Sequence, residues 1–158
     1  MQRVPMTPAG YAALAAELKY NKETLRLQIV RDIEEARAHG DISENSEFED
    51  AKHRQSLCEG RIRELEAKLA AAEVIDVTRL EAADRVIFGV TVKVEDLDSG
   101  EEFTYRIVGT DEADVKQGLI SVTSPIGRAL VGKETGDEVK FEAPGGMRRF
   151  AISEVLYK

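Results

Sequence analysis

A single cysteine and two histidines leave this chain without the ligands for a cysteine-based zinc site, and one thiol cannot close an internal disulfide. There is no tryptophan, and aromatic residues make up only 6% of the sequence. No run of about 18 apolar residues exists that could cross a bilayer, and the opening MQRVPMTPAG lacks the apolar stretch of a signal peptide. A soluble, cytoplasmic protein with no membrane partner is expected. Basic residues are also short: 22 Lys and Arg stand against 30 Asp and Glu, a net charge of −8. That excess of acid opposes broad, nonspecific binding to nucleic acid, which needs basic surface. It does not oppose contact with an enzyme that works on nucleic acid. At 158 residues and 42% hydrophobic content, the chain has material for one ordinary domain or two small ones.

Proline and glycine are missing from a long stretch. No proline occurs between Pro8 and Pro125, and between Gly10 and Asp76 glycine stands only at Gly40 and Gly60. The second half holds most of the glycine and is richer in Val, Thr and Phe. The contrast predicts an α+β chain: a helical part over 1–76 and a β-rich globular part over 77–158.

Thr7 fits an N-cap and Pro8 the first helical position, where a missing N–H costs nothing. Apolar residues follow at Tyr11, Leu14, Leu18, Leu25, Ile29, Ile33 and Ala36, with the seam interrupted at Asn21 and Lys22. The run stops near Ala38-His39-Gly40. A second seam is more regular. Phe48, Ala51, Gln55, Cys58, Ile62, Leu65, Leu69 and Ala72 alternate spacings of three and four, the heptad of a coiled coil. Two helices of about 30 residues with a short connection fold back most economically into an antiparallel hairpin about 45 Å long. A helical pair packed against its own β domain is the other reading. The narrow apolar stripes favour a hairpin that serves reach.

In the second half, Val90, Val92 and Val94, then Phe103, Tyr105 and Ile107, alternate with polar residues around an Asp98-Ser99-Gly100 turn. Residues 118–122, 139–141 and 150–155 read as further strands, and Ser124-Pro125 as the start of a short helix ending near Leu130. A small, mainly antiparallel sheet with one short helix is expected.

The connection Gly40–Asp50 carries five carboxylates and no basic residue. Helix capping explains part of this, since Asp41 or Ser43 could cap the second helix and Glu47 and Glu49 suit its N-terminal dipole. Asp41 and Glu44, three apart in a turn, can also point the same way. Such hard oxygen ligands suit Mg²⁺, but two carboxylates alone hold it weakly. They become useful when carried to a partner's active site that supplies further ligands and a substrate. His39 fits a favourable contact at a helix C-terminus, His53 a solvent-facing position, and Cys58 a small buried hydrophobe.

Ala36-Arg37-Ala38-His39-Gly40-Asp41, Glu44-Asn45, Glu47 and Cys58-Glu59-Gly60-Arg61-Ile62 resemble the Gre transcript-cleavage factors of bacterial RNA polymerase. Residues 118–122, Ser124-Pro125-Ile126 and Pro144-Gly145-Gly146 resemble the same family's C-terminal domain, so the likeness spans essentially the whole chain and is nearest the GreA-like branch. The resemblance implies an FKBP-like C-terminal domain that docks at the rim of the polymerase secondary channel, with Ser124, Pro125 and Ile126 as docking residues. It implies that the coiled coil enters the channel, where Asp41 and Glu44 help hold a second, weakly bound Mg²⁺ beside the nascent RNA 3′ segment. On this reading the chain is not an enzyme by itself and binds no metal stably when free. It acts as a monomer, and Lys52 and Arg54 contact RNA phosphates. A channel-blocking antagonist would carry altered or extra tip acids, whereas a helical adaptor with no metal role would not need them.

Overall fold

The computed structural model describes residues 2–39 and 46–158. Two compact units emerge, one of Tyr11–Ala71 and the other of Met1–Gly10 with Ala72–Lys158. The division therefore does not fall between residues 76 and 77. The first ten residues, expected with the helices, join the β-rich unit because β1 (Val4–Met6) pairs in parallel with β2 (Ala72–Val74).

The helical unit has two arms. The first begins with α1 (Pro8–Tyr20), passes through one π-helical turn at Asn21–Leu25 and continues as α2 (Arg26–Ala38). The second arm is α3 (Ser46–Ala71). Thr7 caps α1 as expected, its Oγ1 accepting the Gly10 N–H at 3.1 Å. The Glu112 carboxylate grips this cap, accepting from the Thr7 N–H (3.0 Å), the Thr7 hydroxyl and the Gly109 N–H (3.0 Å). A Cβ at Gly10 would overlap the Glu112 side chain and displace its carboxylate from this cap.

The seam between the arms is thin. Ile29 and Ile33 of α2 meet Ala51, Cys58 and Ile62 of α3, with Leu18, Leu25 and Phe48 half-covered at the margins. Tyr11, counted with the apolar seam in sequence, is instead exposed. Two bidentate pairs flank the seam. Arg26 reaches Glu59 at 2.8 and 2.7 Å, and Arg61 reaches Glu17 at 2.6 and 2.8 Å. Their partners 33 and 44 residues away fix the arms as antiparallel.

The second unit holds a five-stranded sheet in the order β5-β4-β3-β7-β6, formed by β3 (Thr91–Asp96), β4 (Glu102–Val108), β5 (Leu119–Ser121), β6 (Glu138–Ala143) and β7 (Gly146–Leu156). Three of its four pairings are antiparallel; β4 and β5 run parallel. Val92 and Val94 point inward from β3 as their alternation predicts, joining Ile107, Phe150 and Ile152 in one apolar core. The turn after β3 is held by Asp96, whose carboxylate accepts the Asp98 and Ser99 N–H groups while Gly100 takes φ 77°. The helix α4 (Pro125–Leu130) starts where Ser124-Pro125 places it. Among the described residues no helix is long and apolar enough to cross a membrane.

Candidate functional site

Asp41 and Glu44 lie outside the described residues, so the site is defined by the ends of the arms that lead to them. The α2 arm ends at Ala38 and the α3 arm begins at Ser46. Across this gap His39 Nδ1 stands 3.3 Å from Glu47 Oε2. The His39 N–H bonds to the Ala36 and Arg37 carbonyls, closing α2. Glu47 and Glu49 occupy the first turn of α3, where carboxylates favour the positive end of the helix.

A cleft lined by Asp32, Glu35, Ala36, Glu47, Asp50 and Arg54 runs between the arms near this end. Arg54 is its keystone. Its guanidinium reaches Asp50 on its own helix at 3.1 Å and Asp32 on the opposite arm at 3.0 Å. The Arg54 guanidinium, with help from the Gln28 amide, holds the Asp32 carboxyl below the usual carboxylate range. Arg54 is thus committed to joining the arms, which competes with RNA contact. Lys52 is exposed and donates to Gln55 at 3.1 Å. His53 is exposed and Cys58 buried, both as expected; burial pushes the Cys58 thiol up.

Sequence reasoning missed Asp32 as a cross-arm partner. Its available signals were the Gln28–Asp32 and Asp50–Arg54 spacings of four, each of which places side chains together on one face. Neither spacing says which face meets the other helix.

In the β-rich unit, Ser124, Pro125 and Ile126 open α4. Ser124 is occupied structurally: its Oγ accepts the Gly127 N–H at 3.1 Å and donates to the Ser121 carbonyl at 2.7 Å. Pro125 is exposed, and Ile126 packs partly on the sheet core. A Cβ at Gly127 would come within 2.1 Å of the Ser121 carbonyl oxygen, so the helix lies directly on the end of β5. Pro125 is therefore the member of the trio whose surface is available. A second feature was not anticipated. Arg148 sits 4.9 Å from the Phe150 ring centre and 5.7 Å from that of Phe103, and binds Asp96 at 2.8 Å. That pair, with the Asp98 and Ser99 N–H groups, holds the Asp96 carboxyl below its ordinary range.

The described residues form a two-armed helical unit and a five-stranded sheet unit within one chain. One family model, described as a transcription elongation factor N-terminal domain, matches residues 4–74, and another, the GreA/GreB C-terminal domain, matches residues 81–157. The chain belongs to the GreA/GreB family of transcription elongation factors. It is 57% identical over 158 residues to transcription elongation factor GreA of Hyphomonas neptunium, covering 100% of both chains. It is 52% identical over 157 residues to GreA of Methylococcus capsulatus, covering 99% of each. Among solved structures, GreA factor homolog 1 of Thermus thermophilus is 29% identical, with a TM-score of 0.43 over 98% of this chain and 99% of that one. A GreA/GreB factor of Nitrosomonas europaea is 26% identical, with a TM-score of 0.43 over 98% and 100%.

Proposed function

We propose that the chain binds bacterial RNA polymerase, inserts its helical arms into the secondary channel and stimulates cleavage of the nascent RNA 3′ segment in backtracked complexes. The observation that carries this reading is the position of Asp41 and Glu44: they occupy the connection between two antiparallel arms in a chain matched along nearly its full length by elongation-factor models. Two carboxylates are hard oxygen donors and fit Mg²⁺ as part of a shared ligand set. Asp41 and Glu44 would hold the ion together with polymerase ligands. When bound, Mg²⁺ supplies Lewis-acid stabilisation of oxygens at the scissile phosphodiester. The chain's own contribution is to bring negative charge to that point and to orient a water for in-line attack. Catalysis belongs to the polymerase, so the factor activates in trans without being an enzyme alone. It works as a cytoplasmic monomer and holds no metal stably when free.

Pro125, with Ile126 behind it, contacts the channel rim, and Ser124 keeps that turn in shape. Lys52 is the better candidate for RNA phosphate contact, because Arg54 already bridges the arms. Cleavage of a stalled, backtracked elongation complex is the test. Asp41→Asn and Glu44→Gln should lose most of the stimulation while binding polymerase normally, and full activity in both would overturn the donated-carboxylate reading. In the same assay Pro125→Ala should need more protein for half-maximal stimulation at an unchanged maximum.

A further inference from the structure

The interruption at Asn21 and Lys22 has a structural form. In a strict heptad, the positions following Leu14, Leu18, Asn21 and Leu25 are 28, 32 and 35. The residues buried in their place are Ile29 (2%), Ile33 (8%) and Ala36 (4%), each one position later. Gln28 and Glu35 are exposed. The first arm therefore carries one extra residue, while α3 keeps its heptad without interruption. An unbroken α-helix would rotate the later residues by about 100° off the seam. The π turn absorbs the extra residue: the Arg26 N–H reaches back five positions to the Asn21 carbonyl.

The turn is built in from both sides. Asn21 is buried (6%), and the Cys58 thiol donates to its carbonyl at 3.8 Å. Glu17 just before the turn and Arg26 just after it make the two bidentate pairs, with Arg61 and Glu59 of α3. These contacts hold the inserted residue at one place along the arm.

We infer that the π turn at Asn21–Leu25 is a length-setting insert, which fixes how far the end of α2 extends against the start of α3 and so positions the connection that carries Asp41 and Glu44. Its functional half rests on the donated-carboxylate reading above. One residue changes the reach of the first arm by on the order of 1 Å. A misplacement of that size at a reacting centre is enough to cost on the order of 100-fold in rate. Asn21 and its neighbours are positioning residues and touch no substrate.

Deleting Glu23, an exposed residue of the turn, tests the idea against Glu23→Ala, which keeps the residue count. The deletion brings Ile29, Ile33 and Ala36 into one heptad with Leu14 and Leu18. The variant should fold, melting only slightly below Glu23→Ala because half-covered Leu25 moves to the edge of the seam. Its crystal structure should show α-helical bonding throughout and the end of α2 set back by about one residue's rise. Polymerase affinity should be unchanged, stimulated cleavage should fall at least about tenfold, and the Mg²⁺ concentration for half-maximal cleavage should rise. An unfolded variant would overturn the inference, because packing and not reach would then require the extra residue. So would a π turn re-formed elsewhere, or cleavage and Mg²⁺ dependence equal to those of Glu23→Ala. The donated-carboxylate reading fails separately, through full activity of Asp41→Asn and Glu44→Gln, and the crystal structure still decides the register.

Discussion

The two units solve the problem of a stable interior differently. The sheet unit closes a core of valines, isoleucines and phenylalanines around Phe150, which is fully buried between Phe141 at 5.0 Å and Phe103 at 5.8 Å. The helical unit has only a ribbon of small and branched side chains, and its flanks are held by arginine–carboxylate pairs. Burial of apolar area scales with the thickness of the contact, so a two-helix ribbon cannot match a sheet with both a helix and loops over it. Its charges therefore matter more, and the two units should respond differently to truncation, acid and salt.

The largest difference should come from core truncation. Phe150→Ala should cost about 3–5 kcal/mol in denaturant unfolding, because it removes a ring packed on all sides. Ile62→Ala in the helical seam should fall toward the lower end of about 2–5 kcal/mol, since a narrow ribbon can close around the gap. Equal losses at the two positions would remove the contrast.

Acid should produce the next effect. Glu17, Glu59 and Glu64 have carboxyls held low by Arg61, Arg26 and Lys68 respectively, and Asp32 by Arg54. Each folded value lies below the unfolded one. Their stabilisation is therefore present above the ordinary carboxylate range, near about 4, and is lost as pH falls through the folded values. Melting followed by helical circular dichroism should be flat from neutrality to about pH 5 and drop below it. The sheet unit, with Asp96 and Asp76 lowered, should lose less. The smallest effect is Arg61→Ala. Its side chain is about one-third exposed and its Glu64 partner half exposed, so screening limits the loss to about 0.5–1 kcal/mol, and raising salt should shrink the difference from the parent.

Legibility followed the range of the determining interaction. The α3 heptad could be read because its period repeats along 26 residues. Asp98-Ser99-Gly100 could be read because one glycine with positive φ decides the turn. Ser124-Pro125 named the start of α4 for the same local reason. β1 and β2 are three residues each and pair across the whole helical unit, so no periodicity announced them. The parallel direction of β5 depends on the chain between Gly109 and Gly118, whose two short 3₁₀ turns carry weak signals. The seam break at Asn21 was visible, but recognising it as one extra residue required seeing which neighbours are buried. Asp41 and Glu44 were named from the resemblance and from carboxylate chemistry, while Asp32 and Asp96 needed partners 22 and 52 residues away.

The β1–β2 ladder has a consequence for the order of assembly. Val4 and Ala72 are paired although the intervening segment spans most of the first half of the chain. Closing such a loop from a random coil carries an entropic penalty that grows with its length. The two arms relieve it, because each added turn of their antiparallel zipper draws the loop's ends closer through mostly nearest-neighbour contacts. Pairing of Val4 with Ala72 therefore costs less entropy once the arms are zipped than from a random coil. Slowing the zipper should delay the ladder, while removing the ladder should leave the zipper's speed untouched.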